Sequence, residues 1–534
     1  MKALHAWLGA ALGLLCAGAS AADLNRGVMA LKEGNYAQAL AEFTPLAERG
    51  NRAAQFDLGL LYFKGQGVAK DYAQSAHWFG LSAAQGDVHA QLMLGMQYYH
   101  GQGVAQDYAQ AAVWLRKAAD QGSTVAMNNL GLLYENGNGV AKDYNQALSL
   151  FGRAAEKGDA AAQYNLGLMY RKGLGIPVDT HQGLRWINAS AQQGYADAIN
   201  SLGVMYSKGE GVPQDLQKSI ELYRQAAAQG NASAQYNLGE AFEHAKGVPR
   251  DYLQAIAFFK EAAAQGKLEA NVNLGVMYAK GQGVPQDYGE AVQWYRKAAD
   301  QGVAAAETDL GQVYMYGYGV PQDNGQAMMW FQKAAAQNDP GGIVGIATMY
   351  EKGMGVQQDF EQAFSWFTKG AALDSGPAEV GLGMMYLDGE GRAKDYAQAM
   401  AWFQKASAHG DVYAKTNIGA MYSKGWGVSR DYAQAVSLFR PGAEEGEPMS
   451  QYNLGVMYAN GWGVQKDVVA AYALCSLSQS EVSPVAMPGS KVYADRVKLM
   501  QTLVRQMNNA QRSAVDMLVQ DMQRRGVLEA LQAR

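Results

Sequence analysis

A leucine–glycine pair returns every 36 residues along this chain. Leu58-Gly59, Leu94-Gly95, Leu130-Gly131, Leu166-Gly167, Leu202-Gly203 and Leu238-Gly239 open a series that runs without insertion or deletion to Leu454-Gly455. That makes 12 units in phase, with only Ile346-Ala347 and Ile418-Gly419 varying the pair. A strict period of this size means that each unit is one supersecondary element, too small to bury its apolar face except on its neighbours. A chain of 534 residues would in any case exceed one ordinary core.

Within one unit, Asp87 to Gly122, the spacing predicts two helices. Ala90, Leu94, Gly95 and Tyr98 form an apolar stripe at helical spacing. Gly101-Gln102-Gly103-Val104 then stops the helix, since glycine takes the positive φ that a helix end requires. Asp107 is placed to cap a second helix, with Gln110 three residues on as the partner of a capping box. Asp71, Asp143, Asp179, Asp251, Asp323, Asp359, Asp395 and Asp431 repeat the Asp-x-x-Gln spacing, and Asp287 pairs with Glu290. Ala111, Trp114, Leu115, Ala118 and Ala119 share one face of that helix. A mid-helix glycine such as Gly95 costs roughly 0.5–1 kcal/mol against alanine, so its recurrence predicts a close helix approach. With 63 Gly and only 12 Pro, the composition suits short helices joined by glycine turns.

The pattern A-x-x-x-L-G-x-x-Y-x-x-G-x-G-V-x-x-D-Y-x-x-A, closed by an aromatic and a glycine, resembles the Sel-one-like repeat, a relative of the tetratricopeptide repeat. The resemblance covers Ala54 to about Leu474 and is specific because it recurs in phase 12 times. It implies an all-α, right-handed superhelical solenoid of helix-turn-helix repeats, about 12 units with N- and C-terminal caps. It also implies an adaptor or assembly scaffold in the cell envelope that binds a protein or peptide.

The expected organisation is a signal peptide at 1–21, a tetratricopeptide-like cap at 22–53, the solenoid at 54–477, and a linker with capping helices at 478–534. Lys2, the apolar stretch Trp7 to Ala17 and Ala19-Ser20-Ala21 make an export signal, with the mature chain starting at Ala22. Leu15 before Cys16 is not the small residue of a lipoprotein signal, so a soluble periplasmic or secreted product is expected. No other apolar run approaches the roughly 20 residues of a membrane span. Cys475 is then the one cysteine of the mature chain, so no internal disulfide can form. Ser478 to Ser490, with Pro484, Pro488 and Gly489, reads as a loop. Val497, Met500, Leu503, Val504 and Met507, then Val515, Leu518 and Met522, predict two closing helices. Eight basic against four acidic residues from Lys491 to Arg534 give that tail about +4. Its expected role is a solvated cap.

A net charge of −5 gives no basic surface for nucleic acid. Gly101-x-Gly103 follows a helix, has no third glycine in place and no Walker Lys-Ser/Thr end, so it does not predict a phosphate site. Met-Tyr pairs such as Met169-Tyr170, Met205-Tyr206 and Met277-Tyr278 read as core filling. None of His5, His77, His89, His100, His181, His244 and His409 sits in H-E-x-x-H or beside a cysteine, so no metal or other cofactor is expected. The enzymatic rival is a peptidoglycan or β-lactam binder, an activity described for cysteine-rich relatives of this repeat. Their cysteine pairs are missing here, as are S-x-x-K, S-D-N and K-T-G, so the chain is expected not to be an enzyme.

Two groups of residues could hold a partner. Asn129, Asn165, Asn237, Asn273, Asn417 and Asn453 share the slot before the Leu-Gly or Ile-Gly pair. In tetratricopeptide-like solenoids the first helix lines the concave face, where amides can meet an extended peptide backbone. The alternative is that they bond neighbouring turns within the array. The residue between the paired glycines, polar in Gln66, Gln102 and Glu210, becomes Tyr318, Met354, Trp426 and Trp462. Exposed aromatics there would serve as an interface anchor or as a sugar-stacking platform for a cell-envelope polysaccharide. The alternative is that each indole folds onto the next loop. Asn338-Asp339-Pro340-Gly341-Gly342 and Pro441 break the local pattern and predict a kink or altered curvature.

Overall fold

The computed structural model describes residues 21–478 and 491–533. Residues 1–20 of the expected export segment 1–21, and the proline-containing loop at 479–490, lie outside the described residues, while the expected cleavage point between Ala21 and Ala22 falls at the start of helix Ala21–Lys32. Among the described residues there are 29 helices and no strand. They fall into two compact halves that divide between Lys267 and Leu268. Within each half every helix up to Val468–Leu477 packs on its sequence neighbours of the same half, which is the contact pattern of a solenoid.

The helices alternate as the repeat predicts. Arg52–Lys64 and Tyr72–Ala84 make one pair, Val88–His100 and Tyr108–Asp120 the next. The second helix is capped by its aspartate: Asp71 accepts from the backbone N–H groups of Ala73 and Gln74, and Asp107 from that of Gln110. The glutamine side chains do not reach back, so these caps are half of the expected box. Among the described residues the reciprocal box forms at Asn508 and Gln511 in the C-terminal region. First helices end on glycines in the left-handed region, such as Gly65 at φ 69° and Gly101 at φ 66°.

Two glycine positions set the spacing. The mid-helix glycine faces the aromatic residue 20 positions later: a Cβ on Gly59 would lie 2.6 Å from the Phe79 ring, on Gly131 2.6 Å from Phe151, and on Gly239 2.5 Å from Phe259. These phenylalanines are fully buried, so the missing side chain lets the two helices close over a ring. The second glycine of each loop meets the preceding repeat. A Cβ on Gly67, at φ +74°, would lie 2.5 Å from the Tyr36 carbonyl oxygen at the start of helix Tyr36–Glu48. One glycine therefore fixes the contact inside a repeat and the other the contact between repeats.

The residues that break the pattern are absorbed locally. Asn338, at φ 59°, stands in a left-handed slot occupied elsewhere by glycines such as Gly86, and Pro340 opens helix Pro340–Lys352 where no N–H is needed. Pro441 lies inside the continuous helix Tyr432–Glu444. At the N-terminal end, Ala21–Lys32 and Tyr36–Glu48 are joined through Gly34 and bury Ala39, Phe43 and Leu46 with Leu58 of the first repeat. At the other end the chain forms three helices, Lys491–Gln506, Asn509–Arg525 and Val527–Gln532, where the periodicity predicts two. Met507, Val515, Leu518, Met522 and Val527 cover Val469, Ala470, Leu474 and Leu477 of the last repeat, and Glu444 accepts from the Leu528 N–H at 2.6 Å.

The glycines divide into two classes with opposite responses to alanine. Gly131→Ala is expected to lower stability by about 1–3 kcal/mol, because Phe151 must be displaced. Gly152 lies within helix Tyr144–Glu156 with nothing within 4 Å of a built Cβ, so Gly152→Ala is expected to raise stability by roughly 0.5–1 kcal/mol. Urea unfolding of both variants measures the difference, and equal shifts would contradict the close-approach account.

Candidate functional site

The asparagine slot sits on the side of the first helix that meets the preceding repeat. Where the slot is glycine, a Cβ on Gly345 would lie 2.6 Å from Phe331, and on Gly381 2.6 Å from Phe367, both in the preceding repeat's second helix. The asparagines are accordingly half-buried. Asn165 Nδ2 donates to Asn128 Oδ1 at 2.8 Å and Asn237 Nδ2 to Asn200 Oδ1 at 2.9 Å, each across one repeat boundary. Asn129 Nδ2 donates to the Val125 carbonyl of its own helix at 2.7 Å. Asn273 also has an interaction partner within the protein. The amides of Asn129, Asn165 and Asn237 are thus engaged within the array. Asn417 and Asn453 have no side-chain hydrogen-bond partner among the described residues.

The same slot holds two carboxyls. Asp57 is pushed up to about 7, by burial first and then by the Asp87 charge. Asp309 is also pushed up to about 7, by burial and the Asp339 charge, against a smaller pull from Lys280. A seam between packed helices has room for a neutral hydrogen-bonding group and disfavours a charge.

The aromatic tips divide differently. Only Trp462, 39% exposed, stands out into solvent, whereas Tyr318 and Trp426 are half-buried. Each ring stacks on the first residue of the preceding repeat's second helix. The centroid distances are 4.9 Å for Tyr318 on Tyr288, 6.2 Å for Trp426 on Tyr396 and 5.0 Å for Trp462 on Tyr432. The last two pairs are almost coplanar, at 1° and 7°. The expectation of fully exposed tips is therefore corrected for Tyr318 and Trp426, and the ring that each tip covers lies one repeat back.

Sequence reasoning missed a second polar system. Gln85 Nε2 donates to Gln55 Oε1 at 2.8 Å, while Gln55 Nε2 donates to the Ala47 carbonyl of the preceding repeat at 3.0 Å. Gln121–Gln91 at 2.8 Å, Gln193–Gln163 at 2.7 Å and Gln265–Gln235 at 2.6 Å repeat the pair. The signal was two glutamine columns 30 residues apart. In one repeat a carboxyl and an imidazole take the place of the pair: fully buried Glu379 lies 3.1 Å from His409 Nδ1 and 2.9 Å from Lys405 Nζ. Asp374, Glu379 and His409 form one of two clusters of potential metal donors among the described residues. The other is Glu240, Glu243 and His244, with donor atoms within 4.8 Å of one another. The ammonium of Lys405 already supplies a cation in the first.

The Sel1 repeat family model matches eight abutting segments from 52–87 to 304–339, then 343–375, 376–411, 412–447 and 448–478. The chain belongs to the Sel1 repeat family. The short ninth match leaves out Pro340-Gly341-Gly342, where the pattern breaks. A protective antigen of uropathogenic Escherichia coli with an SLR fold is similar at 32% identity, over 92% of this chain and 96% of that one, with a TM-score of 0.50. A Sel1 repeat protein from Oxalobacter formigenes is similar at 31% identity over 45% of this chain and 96% of its own, with a TM-score of 0.43. No curated protein matches the chain. Sel1 solenoids are typically protein-interaction scaffolds and generally non-catalytic. No helix among the described residues is long and apolar enough to cross a membrane.

The seam carboxyls generate a pH prediction. From about 4, where an unfolded carboxyl ionises, up to about 7, the folded protein holds protons that the unfolded chain releases. Folding stability from these groups therefore falls as pH rises through that window. Asp57→Asn and Asp309→Asn are expected to be neutral at pH 4 and stabilising by on the order of 1–2 kcal/mol each at pH 8. Thermal unfolding across that range reads it, and a loss at pH 8 would show the charges to be favourable.

Proposed function

We propose that this protein is an exported, non-catalytic scaffold that holds a partner polypeptide on its C-terminal repeats. The observation that carries this reading is the pair Asn417 and Asn453. They are half-buried amides of the seam column, without a partner among the described residues, in repeats 412–447 and 448–478. An amide both donates and accepts, which suits a peptide main chain.

Export to the periplasm or the medium rests on the charged start, apolar stretch and A-x-A pattern of residues 1–21. The non-catalytic reading rests on the missing serine acylation motifs and on a repeat whose aspartates cap helices.

A photoreactive residue placed at 417 or 453 is expected to crosslink one polypeptide in cells. The same residue at Val113, an exposed position in another helix, is not. The purified partner should then bind the Asn417→Ala/Asn453→Ala double variant about tenfold more weakly, a loss of about 1.4 kcal/mol. Identical adducts from all three positions would remove the assigned surface. Nitrocefin turnover by the clean protein would overturn the non-catalytic reading.

A further inference from the structure

The loop edge of the last three repeats carries a motif built twice in succession. In the first copy Lys394 Nζ lies 5.9 Å from the Tyr396 ring, whose plane is parallel to that of Trp426. In the second, Arg430 Cζ lies 5.9 Å from the Tyr432 ring, which is stacked on Trp462. Cation and tyrosine recur elsewhere, as in Lys70–Tyr72 and Lys142–Tyr144, but there the tip residue is Gln102 or Leu174. The tryptophan is thus an addition to a standing pair. Its backing tyrosine fixes the plane of the indole, so a broad ring is held at a set angle.

Charge follows the rings. Lys394, Lys424, Arg430 and Lys466 are all exposed on these loops. The acidic residues that start the second helices, Asp395, Asp431 and Asp467, direct a carboxylate oxygen to helix N–H groups. Glu390 and Asp388 belong to the first of the three loops, and the loops bearing Trp426 and Trp462 contain no acidic residue between the helices other than the cap. The edge therefore presents flat rings flanked by cations at a repeat interval.

We propose that this edge binds a polysaccharide carrying carboxylates, with sugar rings laid on Trp426 and Trp462 and carboxylates paired to Lys424, Arg430 and Lys466. A linear uronate polymer repeats a ring and a negative charge along its length, as the edge repeats an indole and a cation. The apolar C–H face of a sugar ring matches a fixed aromatic face. A peptide ligand would call for main-chain donors and acceptors beside the rings, and the amides able to supply them lie in the seam between first helices. This ligand is separate from the polypeptide of the scaffold reading, which depends on Asn417 and Asn453.

Affinity electrophoresis of the full chain through gels containing polygalacturonate or neutral dextran tests the assignment. Polygalacturonate is expected to retard the wild type, and dextran is not. Trp462→Ala should weaken retardation by at least about fivefold, while Trp462→Tyr should retain most of it. Arg430→Gln/Lys466→Gln, at exposed positions that do not support the core, should weaken it comparably, and added salt should do the same. Circular dichroism checks that each variant remains folded. No retardation by polygalacturonate, or retardation indifferent to Trp462→Ala, would overturn the proposal. So would displacement of the polysaccharide by an equal charge concentration of polyglutamate, since that would make the edge a general polyanion or peptide site.

Discussion

Most repeats depend on a ring held against a bare backbone. Phe79 is buried because Gly59 has no side chain to meet it, and Phe151, Phe259 and Phe403 are placed the same way against Gly131, Gly239 and Gly383. The glycine weakens its own helix, and burial of a phenylalanine offsets that loss several times over. The pair recurs at one spacing in most repeats. The loop glycines can then meet the same carbonyl of the preceding repeat each time. Where the ring is replaced, by Leu115, Ile187 or Cys475, the same position still faces the glycine.

Polar groups finish what this packing begins. A buried glutamine such as Gln55 ties its own second helix, through Gln85, to the end of the preceding one, through Ala47. The asparagine slot bonds along the array at Asn165 and Asn237. Both systems are neutral, as a low-dielectric seam favours. The exceptions show the same constraint. Glu379 is fully buried and has Lys405 and His409 beside it, whereas Asp57 and Asp309 lack such a cation in contact and are held toward the protonated form by burial.

Much of this was legible in the sequence. The period, the two helices, the aspartate caps and the close approach at glycine follow from spacing and residue type alone. Helical spacing tells which residues share a face, but not which neighbour that face meets. Spacing therefore leaves open whether the asparagine column lines a face or bonds neighbouring turns, and Asn165 and Asn237 are seen to bond along the array. Spacing gives no sign that the tip aromatics stack one repeat back, because nothing in the local sequence relates Trp426 to Tyr396, 30 residues earlier. The glutamine pairs were missed for the same reason: Gln55 and Gln85 become partners only once the second helix has folded back on the first. The reciprocal capping box was over-read. Asp-x-x-Gln supplies the aspartate bond, while the glutamine side chain stays in water at exposed positions such as Gln74 and Gln110.

The helices that cover Val468–Leu477 present no glycine loop or Leu-Gly face on which another repeat could dock. A copy of the 36-residue unit can thus be accommodated between existing repeats, where both of its neighbours are of its own kind, but not beyond that plug. Gene duplication within the array would then change the reach of the molecule in fixed increments while leaving both ends, and whatever they contact, as they were. An ancestor with fewer repeats and a descendant with more could share the same termini and differ only in span.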